Sequence, residues 1–74
     1  MSELITVTLN GSDTQFPADT SLADVVASLG HAPSQPGVAA AVDGQVVRQT
    51  DWSDTNIDGG QHIEILTAVQ GGSR

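Results

Sequence analysis

The sequence predicts an α+β fold in which one main helix packs on a mixed sheet of four or five strands. Three observations carry this expectation. Residues 4–9 read "LITVTL", with Ile5, Val7 and Leu9 facing one way and Leu4, Thr6 and Thr8 the other. That is the period-two alternation of a half-buried strand in β-favouring residues. Residues 21–30, "SLADVVASLG", place apolar side chains at Leu22, Val25, Val26 and Leu29, the i, i+3, i+4, i+7 stripe of an amphipathic helix. Asn10-Gly11 and Asp43-Gly44 each separate two strand-like runs, and Asn-Gly or Asp-Gly in that setting is the strongest short-range signal of a hairpin.

The elements follow in order. After the first strand and its Asn-Gly turn, residues 13–16 form a second strand that pairs antiparallel with the first and buries Phe16. The helix is about nine residues long, too short to persist alone, and must lie on the sheet. Ser21 with Asp24 three residues later has the form of a capping box, with Thr20 as the other choice of cap. Asp24 also suits the positive end of the helix dipole, and Gly30 ends the run as a left-handed C-terminal cap. "HAPSQPG", 31–37, is a loop with two prolines that cannot donate to a ladder. The wholly apolar run 38–42 reads as a strand covered on much of both faces. Residues 45–48 return as a short strand. Residues 50–60 are polar and turn-rich, anchored by Trp52 and Ile57, with Trp52 as a core plug beneath them. Residues 62–67 close the sheet with Ile63 and Ile65 inward. A hairpin, a helix crossing over the sheet and then further strands is the β-grasp order. Residues 1–67 form this domain and residues 68–74 a projecting tail.

Composition narrows the function. The chain has 74 residues, and a chain this short buries only about 60% of the surface its unfolded form exposes. It has no cysteine, which excludes disulfides, thiolate metal sites and a thiol nucleophile. Nine carboxylates against two arginines and no lysine give a formal charge of −7. Nucleic acid and anionic membrane surfaces are therefore not expected partners, whereas a protein with a basic docking face would be steered toward it. No run reaches the roughly 18–20 apolar residues of a membrane span. Met1-Ser2-Glu3 lacks the basic start of a signal peptide, so the expected location is cytoplasmic.

No catalytic constellation emerges. His31 and His62 are two lone histidines, short of the three or four clustered ligands of a zinc site. Asp54, Asn56, Asp58 and Gly59 match the opening of an EF-hand loop, but the twelfth position is Ile65, with Glu64 one place early. The bidentate carboxylate of such a loop is thus missing. Gly59-Gly60 precedes a strand, so no helix N-terminus receives a phosphate there. Ser21, Ser28, Ser34 and Ser53 lack any motif of a nucleophile with its base and oxyanion site. No catalytic residue, metal or bound cofactor is expected. What remains is the tail, "LTAVQGGSR". Gly71 and Gly72 have no Cβ and fit, extended, a slot too narrow for other residues.

The residues of this chain resemble the ThiS family of sulfur-carrier proteins, within the ubiquitin-like β-grasp group. "LADVVASLG" resembles the family's helix, "VAAAVDGQVV" its second hairpin, Trp52 in "TDW" its tryptophan, and "IEILTAVQGG" its closing strand and tail. The resemblance implies that the Gly72 carboxylate is adenylated with ATP by a ThiF-type enzyme. A cysteine desulfurase then supplies sulfur to form a thiocarboxylate, and a ThiG-type thiazole synthase receives it in thiamin biosynthesis. It implies that Gly71 shares the partner's slot and that Leu66, Ala68, Val69 and Gln70 guide the tail. Leu66 points away from Ile63 and Ile65, which suits either an exposed docking contact or the cover of a sheet edge. Two departures stand out. Gly59, Gly60 and Gln61 replace the family's common "DGD" turn. The chain also continues past Gly72 with Ser73-Arg74, which blocks the carboxylate, so either a peptidase trims the pair or it is foreign to the natural protein. Two alternatives stay open: a carrier for molybdopterin or a secondary metabolite, and a β-grasp module that binds without covalent chemistry.

Overall fold

The structure, a computed structural model, describes residues 3–31 and 36–67. Within them five strands form one mixed sheet: β1 (Leu4–Leu9), β2 (Ser12–Pro17), β3 (Val38–Val42), β4 (Gln45–Val47) and β5 (His62–Thr67). Helix α1 (Leu22–Ser28) lies between β2 and β3 in the chain, and a 3-10 helix, η1 (Gln49–Asp54), between β4 and β5. The strand order is β2-β1-β5-β3-β4. β1 and β5 run parallel, and the other neighbours run antiparallel. This is the β-grasp arrangement, and the last strand to be made occupies its centre.

Both hairpins turn in two residues, between Leu9 and Ser12 and between Val42 and Gln45. Asn10 and Gly11 have φ of 50° and 86°, Asp43 and Gly44 of 51° and 87°. Positive φ at both central residues defines a type I′ turn, whose twist matches that of the flanking strands. Asn and Asp are the non-glycine residues that accept this conformation most readily.

The helix begins with the capping box. The Ser21 hydroxyl accepts from the Asp24 N–H at 3.2 Å, and the Asp24 carboxylate accepts from the Ser21 N–H at 3.2 Å. The helix is seven residues long, shorter than the periodicity suggests. Ser21 stands outside it as cap, and Leu29 and Gly30 close it with bonds back to Val26 and Ala27. Gly30 has φ 89°, as a left-handed C-terminal cap requires. Leu22, Val25 and Val26 are fully buried, whereas Leu29, past the last turn, is 40% exposed.

Those three side chains meet Val7, Leu9, Ala40, Ile63 and Ile65 from the inner face of the sheet, with Trp52 and Ile57 closing the end. Trp52 is the core plug that its place in the sequence suggests: it is buried, and its indole N–H donates to the Val47 carbonyl at 2.9 Å. The segment around it is more ordered than a polar loop. Beyond η1, the Thr55 carbonyl accepts from the Leu22 N–H and the Ile57 N–H donates to the Thr20 carbonyl. One of the unpaired donors of the helix start is thereby satisfied.

Two burial expectations are corrected. Phe16 is only half-buried, because β2 is an edge strand. Of β3 only Ala40 is buried. No described element covers the outer face of the sheet, so small residues rather than two-sided burial account for that apolar run.

Candidate functional site

β5 delivers the chain to residue 68, so the candidate site is built around its C-terminal half. Alternation along β5 sends Ile63 and Ile65 into the core and His62, Glu64 and Leu66 to the outer face. The register sets Ala39 opposite Leu66 and Ala41 opposite Glu64, and then Val46 opposite Ala41. Leu66 at 65% exposed and Val46 at 78% exposed thus stand on one side of the open face, separated by small alanine side chains. Leu4, also exposed, is on β1, beyond β5 from that group. On the β5-β3-β4 side the open face therefore carries Leu66 beside Ala39 and, in the neighbouring rung, Val46 beside Ala41, with the exposed Glu64 on the other side of Ala41.

β5 is held from both flanks by turn residues. On the β3 side, the Asp43 N–H donates to the His62 carbonyl at 2.7 Å, and the His62 N–H donates to Asp43 Oδ1 at 2.9 Å. On the β1 side, the Thr8 N–H donates to the Gln61 carbonyl and the Asn10 N–H to the Ile63 carbonyl, both at 2.9 Å. The next donor along, the Ile65 N–H, is taken by Asn10 Oδ1 at 2.8 Å. Neither clamp is visible as a sequence spacing. Asn-Gly and Asp-Gly are legible as turns, but the strand that receives each side chain is set by tertiary pairing. Val46 is also missed from sequence, because a three-residue strand reveals little about its faces.

Of the residues named from sequence, Leu66 is on the exposed face, while Ala68, Val69, Gln70, Gly71 and Gly72 lie outside the described residues. The histidines are not brought together as a site: His31 is half-buried at the end of the helix loop and His62 is exposed on β5. Among the described residues no three His, Cys, Asp or Glu side chains gather where they could hold a metal ion. In the segment resembling an EF-hand opening, the Asp58 N–H instead donates to Gln61 Oε1 at 2.8 Å, and the Gly60 N–H to the Thr6 carbonyl at 2.8 Å. Gly60 has φ 84°, so this is a tight turn feeding β5. The altered "DGD" position keeps a closed turn, with the Gln61 amide as its latch. Among the described residues no helix is long and apolar enough to cross a membrane.

Fold and site together define a class: a single-helix β-grasp domain whose central strand leads into a diglycine-bearing tail. A family model described as the ThiS family matches residues 3–72. A crystal structure of the thiamine biosynthesis protein (ThiS) from Geobacter metallireducens superposes with a TM-score of 0.74. It is 20% identical, and the alignment covers 92% of this chain and all of that one. At this identity the likeness speaks for the fold. No curated protein matches the chain. The chain belongs to the ThiS family and is a ThiS-like sulfur carrier.

Proposed function

We propose that this carrier works through a thiocarboxylate at Gly72 and gives up its sulfur in thiamin thiazole formation. The observation that carries the reading is the family match itself, which runs through the strand and tail and stops at Gly72, leaving Ser73-Arg74 beyond it. In the proposed cycle a peptidase first frees the Gly72 carboxylate. A ThiF-type enzyme then joins a carboxylate oxygen to the α-phosphate of ATP, and pyrophosphate leaves. A persulfide sulfur originating from a cysteine desulfurase attacks the activated carbonyl carbon, and AMP departs with the oxygen; a thiol, as two-electron reductant, then cleaves the S–S bond of the acyl disulfide and leaves the thiocarboxylate. A ThiG-type synthase takes the sulfur from the resulting thiocarboxylate.

In this scheme the domain is a substrate, and its own contribution is recognition and presentation. Gly71 and Gly72 enter the narrow channel of the activating enzyme, where preorganisation sets carboxylate against phosphate. Leu66, with Ala68, Val69 and Gln70 after it, makes the docking contact. The exposure of Leu66 beside Ala39 supports that role, since a large apolar side chain on an open face is a ready contact for a partner.

The test is reconstitution with the activating enzyme and ATP. The processed chain should yield AMP and a thiocarboxylate, while a chain lacking Gly71-Gly72 should yield neither and still fold. If the tail-less chain retains full association with its physiological partners and no carrier chemistry is found for the intact one, the non-covalent binding module is the better account. Which synthase accepts the sulfur separates the thiazole pathway from molybdopterin and secondary-metabolite pathways.

A further inference from the structure

The parallel pairing of β1 with β5 is short: Thr8 opposes His62 and Leu9 opposes Ile63. At Asn10-Gly11 the main chain turns back into β2, so β1 has no backbone carbonyl to offer β5 beyond that point. The Ile65 N–H nevertheless faces the β1 side, and its acceptor is the Asn10 carboxamide oxygen at 2.8 Å. The partner is a backbone donor, which fixes the oxygen as the contacting atom. The Asn10 side chain therefore extends the missing strand by one rung. β3 holds the other edge of β5 through the register Ala41–Glu64 and Ala39–Leu66. Without Asn10, β5 past Ile63 would be held on that edge alone, and a partly buried N–H would lose its acceptor, a loss that costs more than the net worth of a typical hydrogen bond. Ile65 is the last residue of β5 with its side chain in the core. The tail begins three residues later.

We propose that Asn10 is a positioning residue for the tail, fixing the C-terminal half of β5 through the Ile65 amide so that the tail leaves the domain from a defined point. The inference rests on the carrier reading for its functional consequence but not for its structural content. A tail that starts from a loosened strand must be ordered at the moment of binding, and that ordering is charged against association. The consequence falls on KM for the activating enzyme and leaves kcat unchanged, because the adenylation geometry belongs to the enzyme.

The substitutions that isolate the oxygen are Asn10→Gly and Asn10→Asp. Glycine accepts the positive φ of the turn and removes the acceptor, with added backbone freedom in the turn; aspartate keeps both turn and acceptor, so its rescue isolates the oxygen. Hydrogen exchange on the full chain should show the Ile65 amide exchanging at least about tenfold faster in Asn10→Gly than in wild type, measured relative to the Val25 amide in the helix. Asn10→Asp should restore wild-type protection. With processed protein, ATP and the native adenylating enzyme, KM should rise roughly threefold or more in Asn10→Gly at unchanged kcat and return in Asn10→Asp. Unchanged relative protection of Ile65 in Asn10→Gly overturns the proposal, and so does lost protection with unchanged KM. If the wild-type chain is not charged, the carrier reading fails and Asn10 has no tail-positioning role in charging, whatever the exchange data show about the strand.

Discussion

Trp52 shows how one side chain, with Ile57, ties a polar segment to the core. It fills the end of the core between α1 and the sheet, and its N–H is bonded to the Val47 carbonyl. Trp52→Phe removes the donor and part of the volume, and should cost about 1–3 kcal/mol in denaturant unfolding, chiefly through an orphaned carbonyl and a cavity. Leu66 is the opposite case. Its side chain is on the open face, so Leu66→Asp should change stability by no more than about 0.5 kcal/mol. If the open face docks the activating enzyme, the same substitution should raise KM roughly tenfold or more, as expected for an apolar anchor at an interface. An unchanged KM would return Leu66 to the role of an incidental surface residue.

At the scale of elements, α1 depends on its ends. Seven residues cannot sustain a helix by propensity, so the reciprocal bonds of Ser21 and Asp24, the Gly30 cap and the bond from Leu22 to Thr55 matter in proportion. Ser21→Ala should cost about 1 kcal/mol, read as a lower denaturation midpoint with unchanged slope. Most of these elements were legible in sequence because each rests on local chemistry: alternation for β1 and β5, the heptad-like stripe and capping box for α1, and a paired turn signal for each hairpin. What was not legible is set by the neighbours. The 3-10 turn of η1 carries Trp52 into the core, and the partial burial of Phe16 and the exposure of Ala39 follow from edge position and an uncovered face. The two clamps on β5 depend on strand order, which brings a turn at residue 10 against residue 65 and a turn at residue 43 against residue 62. On the site side, Leu66 was legible as an outward residue, while the diglycine segment lies outside the described residues. The placement of Leu66 beside Ala39, one rung from Ala41 and Val46, required the register.

At the scale of the whole molecule, charge and topology divide the work. The last strand of the chain occupies the centre of the sheet, so the segment that precedes the tail is among the best supported in the fold. A formal charge of −7 would steer the chain toward a partner with a basic face, and such steering is screened over about 10 Å at 0.1 M salt. Association with the activating enzyme should therefore slow by about tenfold or more between low salt and roughly 0.5 M salt, with kcat much less affected. A salt-independent rate would mean that the acidity serves solubility alone.

The claim that a freed glycine end is the working part is tested most directly by the intact mass of the protein recovered from its own cells. Processing should leave a chain ending at Gly72, and a fraction of the protein should be heavier than that form by about 16 Da, one oxygen exchanged for sulfur in the covalent cycle. A functional population that keeps residues beyond Gly72 and never carries the added sulfur would contradict the account.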